Sequence, residues 1–279
     1  MSDEVDASGL QTLAVQVGGH RKDSTKPWKQ MLQLNGWVLK PLESGKRGSI
    51  ERHFYEAAFA SDAPRDLQLV RPLVPSFHGV VTVTHEEHSM DLLCLQLENL
   101  LSRFRHPCVL DLKIGTQSYD EEATPERRQA EIEKYPLQSV LGFRLTGMRV
   151  FNSATGSHTF YDRMFGRQLD ETNVVSGFRT FFSDGDRLRT DVVQALRARV
   201  AAVLAWFESQ HTYRFYSSSL LFIYEGATEA GPPTVDLRMI DFAHVFPIQE
   251  QDGVDSGYIL GLKNTLNQLD ELLRSSAST

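Results

Sequence analysis

The sequence predicts an α+β protein of two lobes. Two observations carry that expectation. An N-terminal stretch reads strand, helix, strand, strand, and a longer C-terminal stretch mixes further strands with long amphipathic helices. The length of 279 residues suits one large domain or two closely joined lobes. A third observation points to where the chemistry lies: a few charged residues are set inside otherwise apolar strands.

In chain order, residues 1–12 are expected to be a loose tail, 13–98 an N-lobe and 99–279 a C-lobe, with the boundary between Glu98 and Arg105. Trp37-Val-Leu-Lys40-Pro41 reads as a short strand stopped by proline. Gly45 to Gly48 reads as a loop, and Ile50 to Ala60 as a helix capped by Ser49, with Glu51 in its first turn. The β-branched run Val80 to Val83 and the run Asp91 to Glu98 complete the N-lobe strands. Cys108 to Ile114 is a further strand. A helix over 124–136 starts near Thr124-Pro125, where proline suits the first turn. Gly142 to Phe151 and residues 158–161 read as strands. Over Asp191 to Ser209, Val192, Leu196, Val200, Val203, Leu204 and Phe207 form one apolar helical stripe. Tyr216 to Tyr224 and Val235 to Phe246 read as paired strands joined by a loop from Gly226 to Pro233, and Gly257 to Arg274 as a closing helix.

Composition narrows the function classes. The net charge of −7 weighs against general nucleic-acid binding, while leaving room for a local basic pocket. No apolar run reaches the ~18–20 residues of a membrane span. Met1 to Gly9 is acidic and polar, unlike a secretory signal. Cys94 and Cys108 both lie in apolar runs and are expected to be reduced packing residues of an intracellular protein. G-x-x-x-x-G-K-[ST], G-x-G-x-x-G and G-x-S-x-G are all missing, and no Cys/His spacing suits zinc. Gln16-Val-Gly18-Gly19-His20 is a weak candidate for a phosphate-covering turn.

Three charged positions stand out. Lys40 shares a strand face with Val38; it is either a lysine snorkelling from an edge strand or one that holds nucleotide phosphates with Glu51 as its partner. Asp111 and Lys113 lie two apart in a strand and share a face. They are either a self-neutralising pair or a catalytic one, in which Asp111 orients or deprotonates a hydroxyl and Lys113 stabilises a phosphoryl group in transfer. Asp241 lies in Met239-Ile-Asp-Phe-Ala-His-Val-Phe, where an ionised carboxylate needs a partner: backbone amides, or a divalent cation such as Mg2+ beside ATP. Arg127 and Lys134 are seven apart and share a helix face, with Arg128 adjacent; they either line a polyanion site or form a solvated face balanced by Glu131 and Glu133. Arg163 and Arg167 are further candidates, and His244 is either a packed core residue or a neighbour of the Asp241 site.

These residues resemble a known family. Pro107-Cys-Val-Leu-Asp111-Leu-Lys113-Ile-Gly115 matches the P-x-x-x-D-x-K-x-G motif of the inositol polyphosphate kinases, Ser218-Ser219-Leu220-Leu221 their S-S-L-L motif and Ile240-Asp241-Phe242 their I-D-F motif. The three occur in the family's order, and the resemblance runs from about Val15 to Leu273. It implies a two-lobed, protein-kinase-like, ATP-grasp-like fold and an enzyme that uses ATP and Mg2+ to phosphorylate inositol polyphosphates. By resemblance, Lys40 and Glu51 serve the ATP phosphates, and main-chain atoms of Glu98 and Leu100 meet adenine. Asp111 and Lys113 are the catalytic pair, Asp241 is the metal ligand, and Ser219 supports the phosphate and metal network. His244 and the 127–134 helix meet the inositol phosphate.

Within the family, only about 26 residues separate Gly115 from Gly142, which disfavours the trisphosphate 3-kinases with their long insertion there. Glu133-Lys-Tyr-Pro-Leu137 and Gly147-Met-Arg-Val150 are similar to the multikinases, and Tyr213 to Leu221 to the hexakisphosphate kinases. A multikinase acting on tris- and tetrakisphosphates is the leading expectation and a hexakisphosphate kinase the alternative. A non-catalytic scaffold or transcription cofactor is the alternative of another class. A protein kinase is disfavoured because H-R-D, D-F-G and A-P-E are missing. The chain is expected to be a monomer. It has no basic run to direct it to the nucleus, but its size would let it enter passively, so cytoplasm and nucleus are both expected.

Overall fold

The structure, a computed structural model, describes residues 3–4, 9–13, 15, 17, 30–85, 90–227, 231–249 and 253–277. The Gly18-Gly19 turn lies outside them.

The N-terminal half is built on a six-stranded sheet of β1 (Asp3–Glu4), β2 (Gln11–Thr12), β3 (Leu32–Leu34), β4 (Trp37–Pro41), β5 (Phe77–His85) and β6 (Met90–Glu98), in the order β1-β5-β6-β4-β3-β2. Two pieces of the segment expected to be a tail, residues 3–4 and 11–12, pair with Val81–Thr82 and with Leu32–Gln33. Asn35 and Gly36 turn the β3–β4 hairpin, both with positive φ (50° and 84°), as a tight hairpin turn requires. Side-chain alternation then sorts β4. Leu39 packs on the outer face with Leu32, Leu34, Val81 and Val83, while Val38 and Lys40 face inward.

Helix α1 (Lys46–Phe59) packs against that sheet. It begins four residues before the expected start at Ile50, because Gly45 (φ 79°) turns the chain directly into the helix. The Ser49 hydroxyl donates back to the Gly45 carbonyl at 3.3 Å instead of capping. Gly48, expected in a loop, is inside the helix, where a Cβ would lie 2.0 Å from the Glu43 carbonyl oxygen. Glu51 therefore sits in the second turn, on the buried stripe with Phe54, Tyr55 and Ala58. Helix α2 (Arg65–Val70), too short for a periodic signal, leads into a 3-10 turn at Arg71–Leu73.

The second sheet is five-stranded. Its strands are β7 (Pro107–Ile114), β8 (Phe143–Asn152), β9 (Ser157–Tyr161), β11 (Ser219–Glu225) and β12 (Val235–Ile240), in the order β12-β11-β7-β8-β9. Between them the chain forms α3 (Pro125–Lys134), capped by Thr124, then the short helices α4 (Gln138–Leu141) and α5 (Arg163–Arg167), followed by α6 (Val174–Phe181) and α7 (Thr190–Ser209). Cys108, Leu110, Leu112 and Ile114 of β7 join the main core with α6, α7 and α8 (Ser256–Ala277), leaving Val109, Asp111 and Lys113 on the opposite face. Burial pushes the Cys94 thiol up to about 12 and the Cys108 thiol up to about 11, as befits packing residues.

The two strands expected to run on past the sheet do not. Ser217 (φ 59°) and Asp241 (φ 65°) both adopt the left-handed conformation, and each breaks its strand. Beyond the breaks, β10 (Tyr213–Phe215) and β13 (Val245–Pro247) pair as a separate ribbon. Asp241 is thus in a break beside Ile240, not within a strand. Closely packed glycines also fix α8: a Cβ on Gly261 would lie 2.0 Å from the Gly142 carbonyl oxygen. Gly→Ala inside a helix ordinarily stabilises by about 1 kcal/mol. Gly261→Ala is expected to do the reverse, destabilising by about 1–3 kcal/mol through overpacking, measured by denaturant unfolding.

Candidate functional site

A cleft of about 890 Å³ lies between the two sheets. One end is apolar, walled by Val38, Leu97, Leu100, Val109, Leu221 and Ile240; the other is charged, with Lys40, Glu51, Asp111, Lys113, Asp241 and His244. A flat apolar slot leading to a charged end suits a nucleotide.

The charged end is organised around Lys40. Its Nζ donates to Glu51 Oε1 and to Asp241 Oδ1, each at 2.6 Å. Glu51 Oε1 also accepts the Phe242 amide at 3.0 Å, so β4, α1 and the break at Asp241 close into one ring of bonds. Burial alone would lower the Lys40 pKa, but the two carboxylates outweigh it and hold the ammonium well above its ordinary value. Burial likewise pushes Asp241 up, and Lys40 and Lys113 together bring it below the usual carboxylate range.

Asp111 and Lys113 project into the cleft from β7. A bulge in the β7–β8 ladder, where Asp111 faces Gly147 and Leu112 faces Leu145, leaves Thr146 over, and its hydroxyl donates to the Asp111 carbonyl at 2.9 Å. Asp111 is 5% exposed, and its Oδ1 is buried with no hydrogen-bond partner among the described residues. Burial, then the charge of Asp241, push its pKa up, against Lys113 and the hydroxyls of Thr146 and Ser219. Lys113 donates to the Ser217 carbonyl at 2.5 Å and to the Ser217 hydroxyl at 2.9 Å. Burial lowers its pKa, and Arg144 adds to that, against the pull of Asp111 and Asp241. Ser219, assigned by resemblance to the phosphate and metal network, is buried, pairs with Lys113 across the β7–β11 ladder and hydrogen-bonds Asp111.

At the end of β6, the Glu98 amide donates to the Ser76 carbonyl at 2.9 Å, and the Glu98 carboxylate accepts the Ser76 amide and hydroxyl at 3.2 Å each. Glu98 and Leu100 both line the cleft.

The predicted cations of α3 and α5 do not line the cleft. Arg128 is spent on its own loop, donating to the carbonyls of Ala123 at 2.9 Å and Glu121 at 2.7 Å. Lys134 pairs with Glu131 at 2.5 Å. Arg127 is exposed, close enough to His244 to help lower its pKa, and Arg163 is exposed on α5. Arg167 acts in the same way on Arg144. Arg144 is the cation the sequence reading missed. It lies opposite Lys113 on β8, is 7% exposed, and its Nη1 is buried without a partner among the described residues. Its signal was available, a charge between Phe143 and Leu145 in an apolar strand. His244 Nδ1 lies 2.5 Å from Asp120 Oδ2, a second residue not foreseen.

The fold and cleft define a two-lobed α+β protein with a nucleotide-sized site between its sheets. It belongs to the inositol polyphosphate kinase family: residues 94–270 match the family described as inositol polyphosphate kinase. The chain is similar to inositol polyphosphate multikinase of Homo sapiens, 35% identical over 241 residues, covering 86% of this chain and 56% of that protein. It is also similar to inositol hexakisphosphate kinase 3 of Mus musculus, 35% identical over 199 residues, covering 64% of this chain and 50% of that protein. It thus spans about half the length of the curated relatives it matches. Among solved structures, it resembles the S. cerevisiae inositol phosphate multikinase Ipk2 in complex with ADP and Mn2+, with a TM-score of 0.67 and 25% identity, covering 85% of this chain and 99% of that one.

Burial lowers the pKa of His244, and Arg47 and Arg127 lower it further, against the hydrogen bond and charge of Asp120. As pH falls below the ordinary histidine value of about 6.5, the unfolded chain binds a proton before the folded one does. Stability is therefore expected to fall through that window, and His244→Gln to flatten the slope, measured by denaturant unfolding between about pH 7 and 5.

Proposed function

We propose that this chain transfers the γ-phosphoryl group of ATP to hydroxyls of inositol tris- and tetrakisphosphates. The observation that carries the reading is the convergence of Lys40, Asp111, Lys113 and Asp241, from both sheets, on the charged end of one cleft. Adenine would occupy the apolar end. The Glu98 amide is committed to Ser76, so adenine would use the Glu98 carbonyl and the Leu100 amide. Lys40, oriented by Glu51, would hold the ATP phosphates. The partly exposed Asp241 carboxylate is a donor that fits a divalent cation together with phosphate oxygens. Asp241 would hold Mg2+, which when bound offsets the negative charge of the ATP phosphates.

Asp111 accepts the proton of the acceptor hydroxyl as that oxygen bonds to the γ-phosphorus and the bond to the ADP oxygen breaks. Its raised pKa makes it the stronger base. Lys113 stabilises the charge on the phosphoryl group in transfer. Arg144, with Arg167 behind it, would bind acceptor phosphates beside Lys113.

The same group of cations supports a second reading, a more heavily phosphorylated acceptor such as the hexakisphosphate. Alignment with the human multikinase over 86% of the chain, against 64% with the mouse hexakisphosphate kinase, favours the first. A panel of inositol phosphates incubated with Mg-ATP and resolved by anion-exchange chromatography separates the two: turnover of tris- and tetrakisphosphates is expected, and turnover of the hexakisphosphate alone would establish the second reading. Asp111→Asn and Asp241→Asn are each expected to lower kcat by at least ~100-fold while the far-ultraviolet spectrum is retained. Arg144→Ala is expected to raise KM for the inositol phosphate about tenfold or more with KM for ATP little changed, since a charged hydrogen bond to phosphate is lost at the acceptor end only.

A further inference from the structure

Next to Glu98, at the end of β6, lies a charged cluster that takes no part in the proposed reaction. Period two puts Asp236, Arg238 and Ile240 of β12 on one face, of which Ile240 reaches the cleft. Asp236 is 1% exposed. Three guanidinium groups converge on its carboxylate: Arg103 Nη2 at 2.9 Å, Arg238 Nε at 3.0 Å and Arg199 Nη1 at 3.3 Å. The Leu237 amide donates to the same carboxylate at 2.8 Å.

Of the three arginines, Arg238 also reaches across to the other sheet. Its Nη1 donates to the Val74 carbonyl at 3.0 Å and lies 3.9 Å from Glu98 Oε2. Val74 begins the segment whose Ser76 is bonded to both the backbone and the carboxylate of Glu98. Asp236 is thus linked through Arg238 to the last residue of β6, by an ion pair and by the Val74–Ser76 segment. Arg103, between β6 and β7, donates to the Val235 carbonyl at 3.1 Å as well as to Asp236. A guanidinium can bond in two directions at once from one rigid plane; an ammonium on a flexible stem cannot hold the same pair of acceptors in fixed geometry.

We propose that Arg238, oriented by Asp236, is a positioning residue for the base end of the nucleotide site. It fixes the Glu98–Leu100 segment relative to the C-terminal sheet and so sets nucleotide affinity without touching the nucleotide. This rests on the reading that Glu98 and Leu100 meet adenine. The test compares wild type, Arg238→Met, Arg238→Lys and Asp236→Asn, using calorimetric binding of ATP and of inorganic tripolyphosphate and KM for each substrate. Arg238→Met is expected to weaken ATP binding and raise KM for ATP about tenfold. Tripolyphosphate affinity and KM for the inositol phosphate should stay within about twofold of wild type. Arg238→Lys should not restore ATP affinity, and Asp236→Asn should shift it in the same direction as Arg238→Met. ATP affinity unchanged in Arg238→Met would overturn the inference alone. So would a parallel loss of affinity for ATP, tripolyphosphate and inositol phosphate with a lowered Tm, which marks a general structural role. Wild type that binds ATP no more tightly than tripolyphosphate would overturn the adenine reading and the inference together.

Discussion

The positive charge of Lys40, held between carboxylates from opposite walls of the cleft, is the interaction on which the rest of the site depends. The two partners are not equivalent. The Glu51 side chain is 5% exposed, so its pairing with Lys40 is little screened, and removing one member of such a buried pair costs about 3–5 kcal/mol. The Asp241 side chain is 39% exposed, and its attraction to Lys40 is correspondingly screened. The tight half of the triad fixes β4 to α1, and the looser half leaves the Asp241 carboxylate partly open to the cleft. The bond from the Phe242 amide to Glu51 anchors the residue next to Asp241 to α1.

That arrangement needs Asp241 outside the regular ladder. A carboxylate inside β12 would alternate to one face and be bound by the pleat. The left-handed turn at Asp241, matched by the one at Ser217 on the neighbouring strand, opens the sheet where the cleft's charged end begins. Ser217 uses its own break to take two of the three Lys113 protons. A left-handed conformation at a residue other than glycine costs on the order of 1–3 kcal/mol, and here the flanking sheet and ribbon hold both residues in it.

The acceptor end proposed beside Lys113 follows a different rule, that a cation already bound to protein is of little use to a ligand. Arg128 and Lys134 are bound to their own loop and helix, whereas Arg144 is buried beside Lys113 with a nitrogen unpartnered among the described residues. An unpaired buried donor costs about 1–3 kcal/mol or more for a charged group, a cost that a phosphate oxygen would remove. In the proposed site the cation open to a polyanion is therefore Arg144, inside the sheet.

The sequence by itself determined the fold class and the strand that carries Asp111 and Lys113, and it marked Lys40 and Asp241 as charges in need of partners. Each is a charge that a local apolar pattern cannot tolerate without a partner, and that conflict is visible in a few consecutive residues. It did not determine which partners meet. Lys40 and Asp241 are 201 positions apart, and their contact exists only once the two sheets face each other. The early start of α1, the strand breaks at Ser217 and Asp241, and the burial of Arg144 opposite Lys113 were likewise decided by tertiary structure. Each depends on close approach, backbone handedness or a competing acceptor, none of which is fixed by the order of residues along one element.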